Sequence, residues 1–290
     1  MELRRSDIIL SRLAAGPSIL LLFVWMAVPL AMTIYFSFLN YNLLEPGMEQ
    51  WTGFLNYEFF FSDPAFGQAL FNTLAMVGMI IVFSVVLGLL TAVLLNQDFW
   101  GRGLTRVLAI SPFFIMPTVS ALLWKNMLMH PVSGFFAWLF SAVNLEPIDW
   151  LSDFPLGSII MMITWQWIPF AALILLTSLQ SLDESQVEAA KIDGAGPIRM
   201  FLYITVPHLM RSVVVVVLIE SIFLLTIFAE IFVTTGGGPG LETTNIAFLV
   251  YSQALLQFDV GGAAAGGVVA VILANIVAIF LMRMIGKNLD

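Results

Sequence analysis

The sequence predicts an all-α polytopic membrane protein, and three observations carry that prediction. Hydrophobic residues make up 60% of the 290-residue chain and charged residues only 10%, where ordinary soluble domains carry about 25% charged residues. Six apolar stretches reach the roughly 20 residues that a helix needs to cross a bilayer. The lysines and arginines fall almost entirely on one side of those stretches. Backbone groups inside hydrocarbon must be paired within the protein, so spans of this length are helices. Strands of a membrane barrel would be shorter and would alternate apolar with polar residues, which these do not.

The spans are expected at about 14–36, 72–95, 106–127, 156–178, 211–234 and 262–283. The first follows Arg4 and Arg5, as a secretory signal would. Its charge-free run, 13–44, is much longer than the roughly 7–15 apolar residues of such a signal, so it reads as a retained helix. The third contains Pro112 and Pro117 and should be kinked, because proline removes a helix hydrogen bond and its ring clashes with the preceding turn. The sixth opens with Gly262-Ala263-Ala264-Ala265-Gly266, a small-residue spacing that lets another helix approach closely. Together they form one membrane domain, 14–290, after an N-terminal segment 1–13. A polar loop at 179–210 joins the fourth span to the fifth. No repeat of 20–50 residues is evident.

With the N-terminus placed in the cytoplasm, the cytoplasmic segments hold Arg4, Arg5, Arg12, Arg102, Arg106, Lys191, Arg199, Arg211, Arg283 and Lys287. The opposite side holds only Lys125. This is the positive-inside distribution, and with six spans it puts both termini in the cytoplasm. The outer segments are acidic instead (Glu45, Glu49, Glu58, Asp63, Glu146, Asp149, Asp153, Glu242, Asp259), so the net charge of −8 is mostly an outer-face property.

Several chemistries are excluded. The absence of cysteine removes disulfides and thiol-based metal sites. The two histidines, His130 and His208, fall on opposite sides of the membrane, so they cannot share a metal. No glycine-rich phosphate loop ending in lysine is present, so the chain does not hydrolyse ATP by that route. There is no nucleophile elbow or acidic pair beside a base, no catalytic residue is assigned, and no basic surface suits a nucleic acid. The chain reads as a transport subunit and not as an enzyme.

Four polar residues lie deep in the spans. Gln166, Glu220 and Asn275 sit near the middle of the fourth, fifth and sixth, and Glu230 lies nearer the outer end of the fifth. An ionisable group at such depth needs a polar cavity or a partner. If both carboxylates share one helix, ten residues place them about 80° apart around it, on a broad common face. A solute path and a hydrogen-bonded tie to a neighbouring subunit both account for them. So does an ion relay through Glu220 and Glu230 in a secondary sugar transporter, which six helices could half-complete. Trp165 and Trp167 flank Gln166. Aromatic faces beside hydrogen-bonding groups suit a sugar or polyol, although tryptophan also fills apolar helices and interfaces.

The 179–210 loop carries the most specific motif. Glu188-Ala189-Ala190, then Gly194, Ile204 and Pro207, reproduce the EAA-x3-G-x9-I-x-L-P pattern, with Val206 in place of leucine. On these residues the chain resembles the permease subunits of binding-protein-dependent ABC importers. Asn72-Thr73 at the start of the second helix, Gly101-Arg102-Gly103, and Thr235-Gly236-Gly237-Gly238-Pro239 after the fifth are similar to the maltose-type carbohydrate branch, over about 68–287. The stretches 165–182 and 228–290 look similar to permeases for sugar alcohols such as sorbitol and mannitol. The resemblance implies a type I importer fold in a bacterial inner membrane. It also implies a second permease subunit (a heterodimer), two ATPase subunits holding ATP and Mg2+, and a periplasmic binding protein that delivers the solute. This chain would hold no cofactor of its own. Glu188, Ala189, Ala190, Asp193, Gly194 and Pro207 would form the short coupling helix that docks on an ATPase. Alanine permits close approach, Gly194 can end the helix in a left-handed conformation, and Pro207 can start the next one. Gln166, Trp165, Trp167, Glu220, Glu230 and Asn275 would line the solute path.

Overall fold

The computed structural model describes residues 5–286. Fourteen α-helices are found among these residues, and a two-stranded antiparallel ribbon pairs β1 (Leu39–Asn40) with β2 (Gln50–Trp51). Five helical runs are long and apolar enough to cross a membrane, and a sharply bent pair makes a sixth. The first is α1 (Arg5–Phe36), whose apolar part Ala15–Phe36 exposes Leu20, Phe23, Trp25 and Met26. A short α2 (Leu55–Ser62) then leads into α3 (Pro64–Asn96).

Helix α3 starts eight residues before the expected span, at a proline whose missing N–H would be unpaired there in any case. Asn72 and Thr73 therefore lie within the helix and do not open it. The third span is more than kinked. Helix α4 (Arg102–Ile110) runs into a 3₁₀ turn, Ser111–Phe114, and then the chain breaks at Ile115 and Met116. It resumes as α5 (Pro117–Leu123) and a π turn, Trp124–Leu128, bent by 104° from the first half. Pro112 and Pro117 bracket the break, as proline's missing donor requires.

Helices α6 (Phe135–Ala142) and α7 (Trp150–Asp153) occupy the following loop. Helix α8 (Pro155–Gln180) is the fourth span and has the most buried side chains of the long helices. It packs along α3, and Ala92, Leu95, Leu175 and Leu176 form a buried cluster between them. The short α9 (Glu184–Ile192) follows, and the chain turns helical again at α10 (Pro197–Met200).

The fifth span departs from expectation at both ends. Helix α10 continues without a gap through a π turn, Phe201–Thr205, into α11 (Val206–Leu224). Pro197, not Pro207, thus begins the helix. Pro207 follows the π turn, which accommodates the hydrogen bond that a proline cannot donate. At the other end the helix stops at Leu224, and a separate α12 (Ala229–Thr234) follows an irregular stretch. Glu220 and Glu230 are therefore on different helices, and the 80° relation between them does not hold. Next come α13 (Ile246–Tyr251) with its π turn Ser252–Leu256, and then α14 (Val260–Gly286).

The chain packs as two compact units. One unit comprises, of the described residues, 5–63 with Val250–Val271. Within it, Asn56 Nδ2 donates to the carbonyls of Ser37 and Leu39 at 2.9 and 2.7 Å, and the amide of Val260 donates to the Tyr41 carbonyl at 2.9 Å. The small-residue run of α14 packs closely here. A Cβ on Gly266 would lie 2.6 Å from the Phe60 ring. The other unit comprises Pro64–Leu249 and the chain from Ile272 onward, and it holds the sites described next.

Candidate functional site

The two helix breaks of the second unit line one cavity of about 490 Å³. The first break contributes Phe113, Ile115 and Pro117. The second contributes Thr226, Ile227 and Phe228, with Ala229 and Glu230 from the start of α12. Helix α8 adds Gln166, Trp167 and Phe170, and α11 adds Ile219 and Phe223. Irregular backbone at membrane depth is tolerated only where protein buries it or a cavity lies beside it. Its freed carbonyls must be satisfied. At the first break, Gln166 Nε2 donates to the Ile115 carbonyl at 2.6 Å. At the second, Asn245 Nδ2 donates to the Ile227 carbonyl at 2.6 Å. Gln166 is thus a buried tie across the break as well as part of the cavity wall.

Around this tie the wall is aromatic. Phe113 stacks on Phe170 with centroids 5.6 Å apart, and Trp167 meets Phe113, Phe170 and Phe223 at the same separation. Glu230 lies in the first turn of α12, only 7% exposed. Among the described residues no side chain donates to its carboxylate.

The other expected path residues go elsewhere. Trp165 is two residues from Trp167, about 200° around the helix. It packs edge-on against Trp124 at 5.7 Å and lines a separate apolar cavity with Met79, Phe83 and Thr164. Glu220 is fully buried and accepts a hydrogen bond from Ser84 Oγ on α3 at 2.5 Å; among the described residues its second oxygen has no partner. Asn275 is exposed on α14. The structure therefore gathers Gln166, Trp167 and Glu230, and separates Trp165, Glu220 and Asn275 from them.

Three polar ties had no signal in hydropathy. Asn72 Nδ2 donates to the carbonyls of Leu241 and Thr244, both at 2.9 Å, and Thr73 Oγ1 accepts from the Ile246 amide at 3.0 Å. These pin the loop containing Thr235-Gly236-Gly237-Gly238-Pro239 to α3. Gly237 in that loop has φ +89°, and a Cβ there would meet the Phe248 ring at 2.6 Å and Thr244 Oγ1 at 2.7 Å, so only glycine fits. Lys125 Nζ donates to the carbonyls of Val233 and Thr234 at 3.0 and 2.9 Å, a cation at the C-terminal end of α12. Asn72-Thr73 and the glycine turn were legible as a motif. Their meeting was not.

A second candidate surface lies at α9. Asp183 caps it, its Oδ1 accepting from the Ser185 amide at 2.9 Å. That hydrogen bond holds the Asp183 carboxyl below the usual carboxylate range. At the other end Gly194 has φ +79°. The Gly194 amide donates to the Lys191 carbonyl at 3.1 Å, and the Ala195 amide to the Ala190 carbonyl at 2.9 Å. This is the paired bonding of a Schellman termination, which needs a left-handed residue at that position. Glu188, Ala189, Lys191, Ile192 and Asp193 are exposed, with Ala190 half-buried, and the apolar side chains of Ile192, Ile198 and Tyr203 stand in solvent nearby. Pro207 lies beyond this surface, in the helix that follows.

Comparison with known proteins shows the family and the fold. Residues 84–290 match the family described as binding-protein-dependent transport system inner membrane component. The chain is 37% identical to the probable ABC transporter permease protein y4oQ of Sinorhizobium fredii, over 84% of this chain and 80% of that one. It is 30% identical to the sulfoquinovosyl glycerol transport system permease protein SmoG of Agrobacterium fabrum, over 96% and 91% of the two chains. Identity is also 30% to the trehalose/maltose transport system permease protein MalF of Thermococcus litoralis, over 85% and 84%. Its fold matches a chain of a bacterial ABC transporter involved in import of the acidic polysaccharide alginate. The TM-score is 0.81 at 21% identity, covering 98% of this chain and 96% of that one.

Proposed function

This chain belongs to the family of binding-protein-dependent transport system inner membrane components, and from that membership we propose that it is one permease of an ATP-driven importer for a polyol or small sugar. As a member it is a multi-pass inner-membrane transport subunit, not itself an enzyme. In our reading a second permease completes the pathway, two ATPase subunits holding ATP and Mg2+ drive it, and a periplasmic binding protein delivers the solute. Sugar transport in the names of two relatives supports the solute class. Sorbitol or mannitol is our choice within it, on the residues that resemble sugar-alcohol permeases.

The observation that carries the mechanism is the build of α9. A nine-residue helix, closed at both ends by its own sequence, presents Glu188, Ala189 and Lys191 to solvent. Such a helix moves as a rigid lever when an ATPase cleft closes on it. Glu188 offers an acceptor, the small Ala189 and Ala190 allow close approach, and Ile192 supplies apolar area. ATP-driven closure of the ATPase pair switches the permeases between inward- and outward-facing states. The loaded binding protein biases that switch only by its different affinity for the two states. Gln166, Trp167 and Glu230 lie on the solute path in this reading. An ion relay would need Glu220 and Glu230 to act together, and they lie on separate helices.

The test is Gly194→Val in the assembled complex. A β-branched residue at φ +79° breaks the helix termination while touching nothing else, since a Cβ there meets open space. We expect membrane insertion to be retained, and uptake and the ATPase stimulation given by binding protein loaded with sorbitol or mannitol to fall on the order of tenfold or more. Normal uptake with normal stimulation would remove α9 from the coupling path.

A further inference from the structure

We propose that Glu230 is a charge filter on the solute path: it admits neutral polyols and their amines, and rejects acids of the same skeleton. The inference rests on the reading of the aromatic cavity as that path.

Among the described residues Glu230 is the charged residue lining the cavity, and no lysine, arginine or histidine lines it. Two neutral donors there are already engaged. Gln166 Nε2 is bonded to the Ile115 carbonyl, and Thr226 Oγ1 donates to the Phe223 carbonyl at 2.8 Å. The Glu230 carboxylate is left as an acceptor that no side chain among the described residues satisfies, although it is more than nine-tenths buried. A buried acceptor with bonding capacity to spare is costly, and a donor-bearing ligand removes part of that cost.

The chemistry of the wall fixes which ligands do so. A carboxylate accepts from a hydroxyl or an ammonium and donates to nothing when ionised. The rings of Phe113, Trp167, Phe170, Phe223 and Phe228 offer faces for C–H groups, and those faces also attract a cation. A second anion brought beside Glu230 meets like charge in a poorly screened pocket; the nearby cation, Lys125, is bound to the carbonyls of Val233 and Thr234 and lies outside the lining. A neutral polyol gains a hydrogen bond, an amine gains a charge-assisted one, and an acid loses on both counts.

Three linear six-carbon compounds isolate this property, because they differ only at one terminal carbon: sorbitol, its acid gluconate and its amine glucamine. The experiment is equilibrium binding of labelled sorbitol to the complex that co-purifies with the full chain, without binding protein, and its displacement by the other two. Gluconate is expected to displace sorbitol at least roughly tenfold less effectively than unlabelled sorbitol, and glucamine at least as well. Glu230→Gln, which keeps the shape, should bring gluconate within about threefold of sorbitol and remove any advantage of glucamine. Glu230→Asp should keep the rejection of gluconate. If wild type binds gluconate as well as sorbitol, the filter is refuted even should Glu230→Gln fail to assemble. An unchanged ratio in an assembled Glu230→Gln, with sorbitol still bound, also refutes it and leaves the cavity as the solute path. That result would make Glu230 a carboxylate that merely suits the first turn of α12. If wild type binds none of the three, the solute-path reading itself fails and the filter with it.

Discussion

The α9 segment and the aromatic cavity are built by opposite means. From Asp183 to Ala195 the capping and terminating hydrogen bonds join residues five or fewer apart: Asp183 to Ser185, Gly194 to Lys191, Ala195 to Ala190. The cavity and its supporting loop are held by bonds between residues 51, 169 and 172 apart, from Gln166 to Ile115 and from Asn72 to Leu241 and Thr244. One region carries its shape locally and turns its side chains outward. The other exists only when distant helices meet. Substitutions around the cavity should therefore be felt first as lost stability, and substitutions in α9 as lost coupling in a protein that remains folded.

The largest effect is expected where α3 crosses α8, the helix that carries Gln166 and Trp167. A Cβ on Gly88 would lie 2.6 Å from Ala171 Cβ and 3.0 Å from the Ala172 backbone nitrogen. Backbone cannot step aside as a flexible side chain can. Gly88→Val should cost on the order of 3 kcal/mol or more, read as a lower melting temperature of the purified complex and less of it in the membrane, with Gly88→Ala intermediate. A melting temperature within experimental scatter of wild type would show that the crossing yields easily, and would break the contrast.

Next comes Asn72. Asn72→Ala strands two carbonyls that its side chain now satisfies and should cost about 1–3 kcal/mol. Asn72→Asp sharpens the point. It keeps the size, but an ionised carboxylate cannot donate to Leu241 or Thr244, so it should destabilise at least as much. A harmless Asn72→Asp would mean that shape, not donation, holds the loop. By contrast Gly194→Val, at an exposed position, should leave melting close to wild type while uptake is lost.

The same division decides how much the sequence revealed. Length and apolarity located every long helix, because the requirement they express is local. The motif around Glu188 announced a helix closed at Gly194, and that helix forms by its own caps. The break after Leu224 was hidden: the run from Ile222 to Ala229 contains neither glycine nor proline, and Asn245, 18 residues further on, satisfies the freed Ile227 carbonyl. The break within the third span was half visible, since Pro112 and Pro117 signal a kink but not a 104° bend. Pro207 misled because a proline inside a helix can be absorbed by a π turn, a choice made by the turn before it. Trp165 and Trp167 misled through adjacency, since neighbours two apart in a helix point nearly opposite ways. Gln166 was conspicuous as a polar residue in an apolar run, but its partner is a backbone carbonyl, and no residue type announces that.

The smallest effect is expected at Asp183, and its value lies in its sign. The Ser185 amide favours the ionised carboxyl, so the folded-state pKa lies below the unfolded one. The charge-dependent part of the capping contribution is then complete at neutral pH and is lost only as the pH falls through the depressed folded value, below the ordinary aspartate value of about 3.9. Hydrogen exchange at the Ser185 amide, corrected for its intrinsic rate, measures this directly. At pH 7 Asp183→Ala should exchange faster than wild type, while Asp183→Asn, which keeps an acceptor oxygen, should stay close to it. As the pH is lowered wild type should approach Asp183→Asn, whose neutral acceptor it then matches, while Asp183→Asn and Asp183→Ala should not move. Melting of the whole complex should stay flat across all three, because the cap is solvent-exposed and closes only its own helix. If Asp183→Ala lowered the melting temperature as far as Asn72→Ala does, α9 would be part of the packed structure, and its freedom to act as a lever would have to be abandoned.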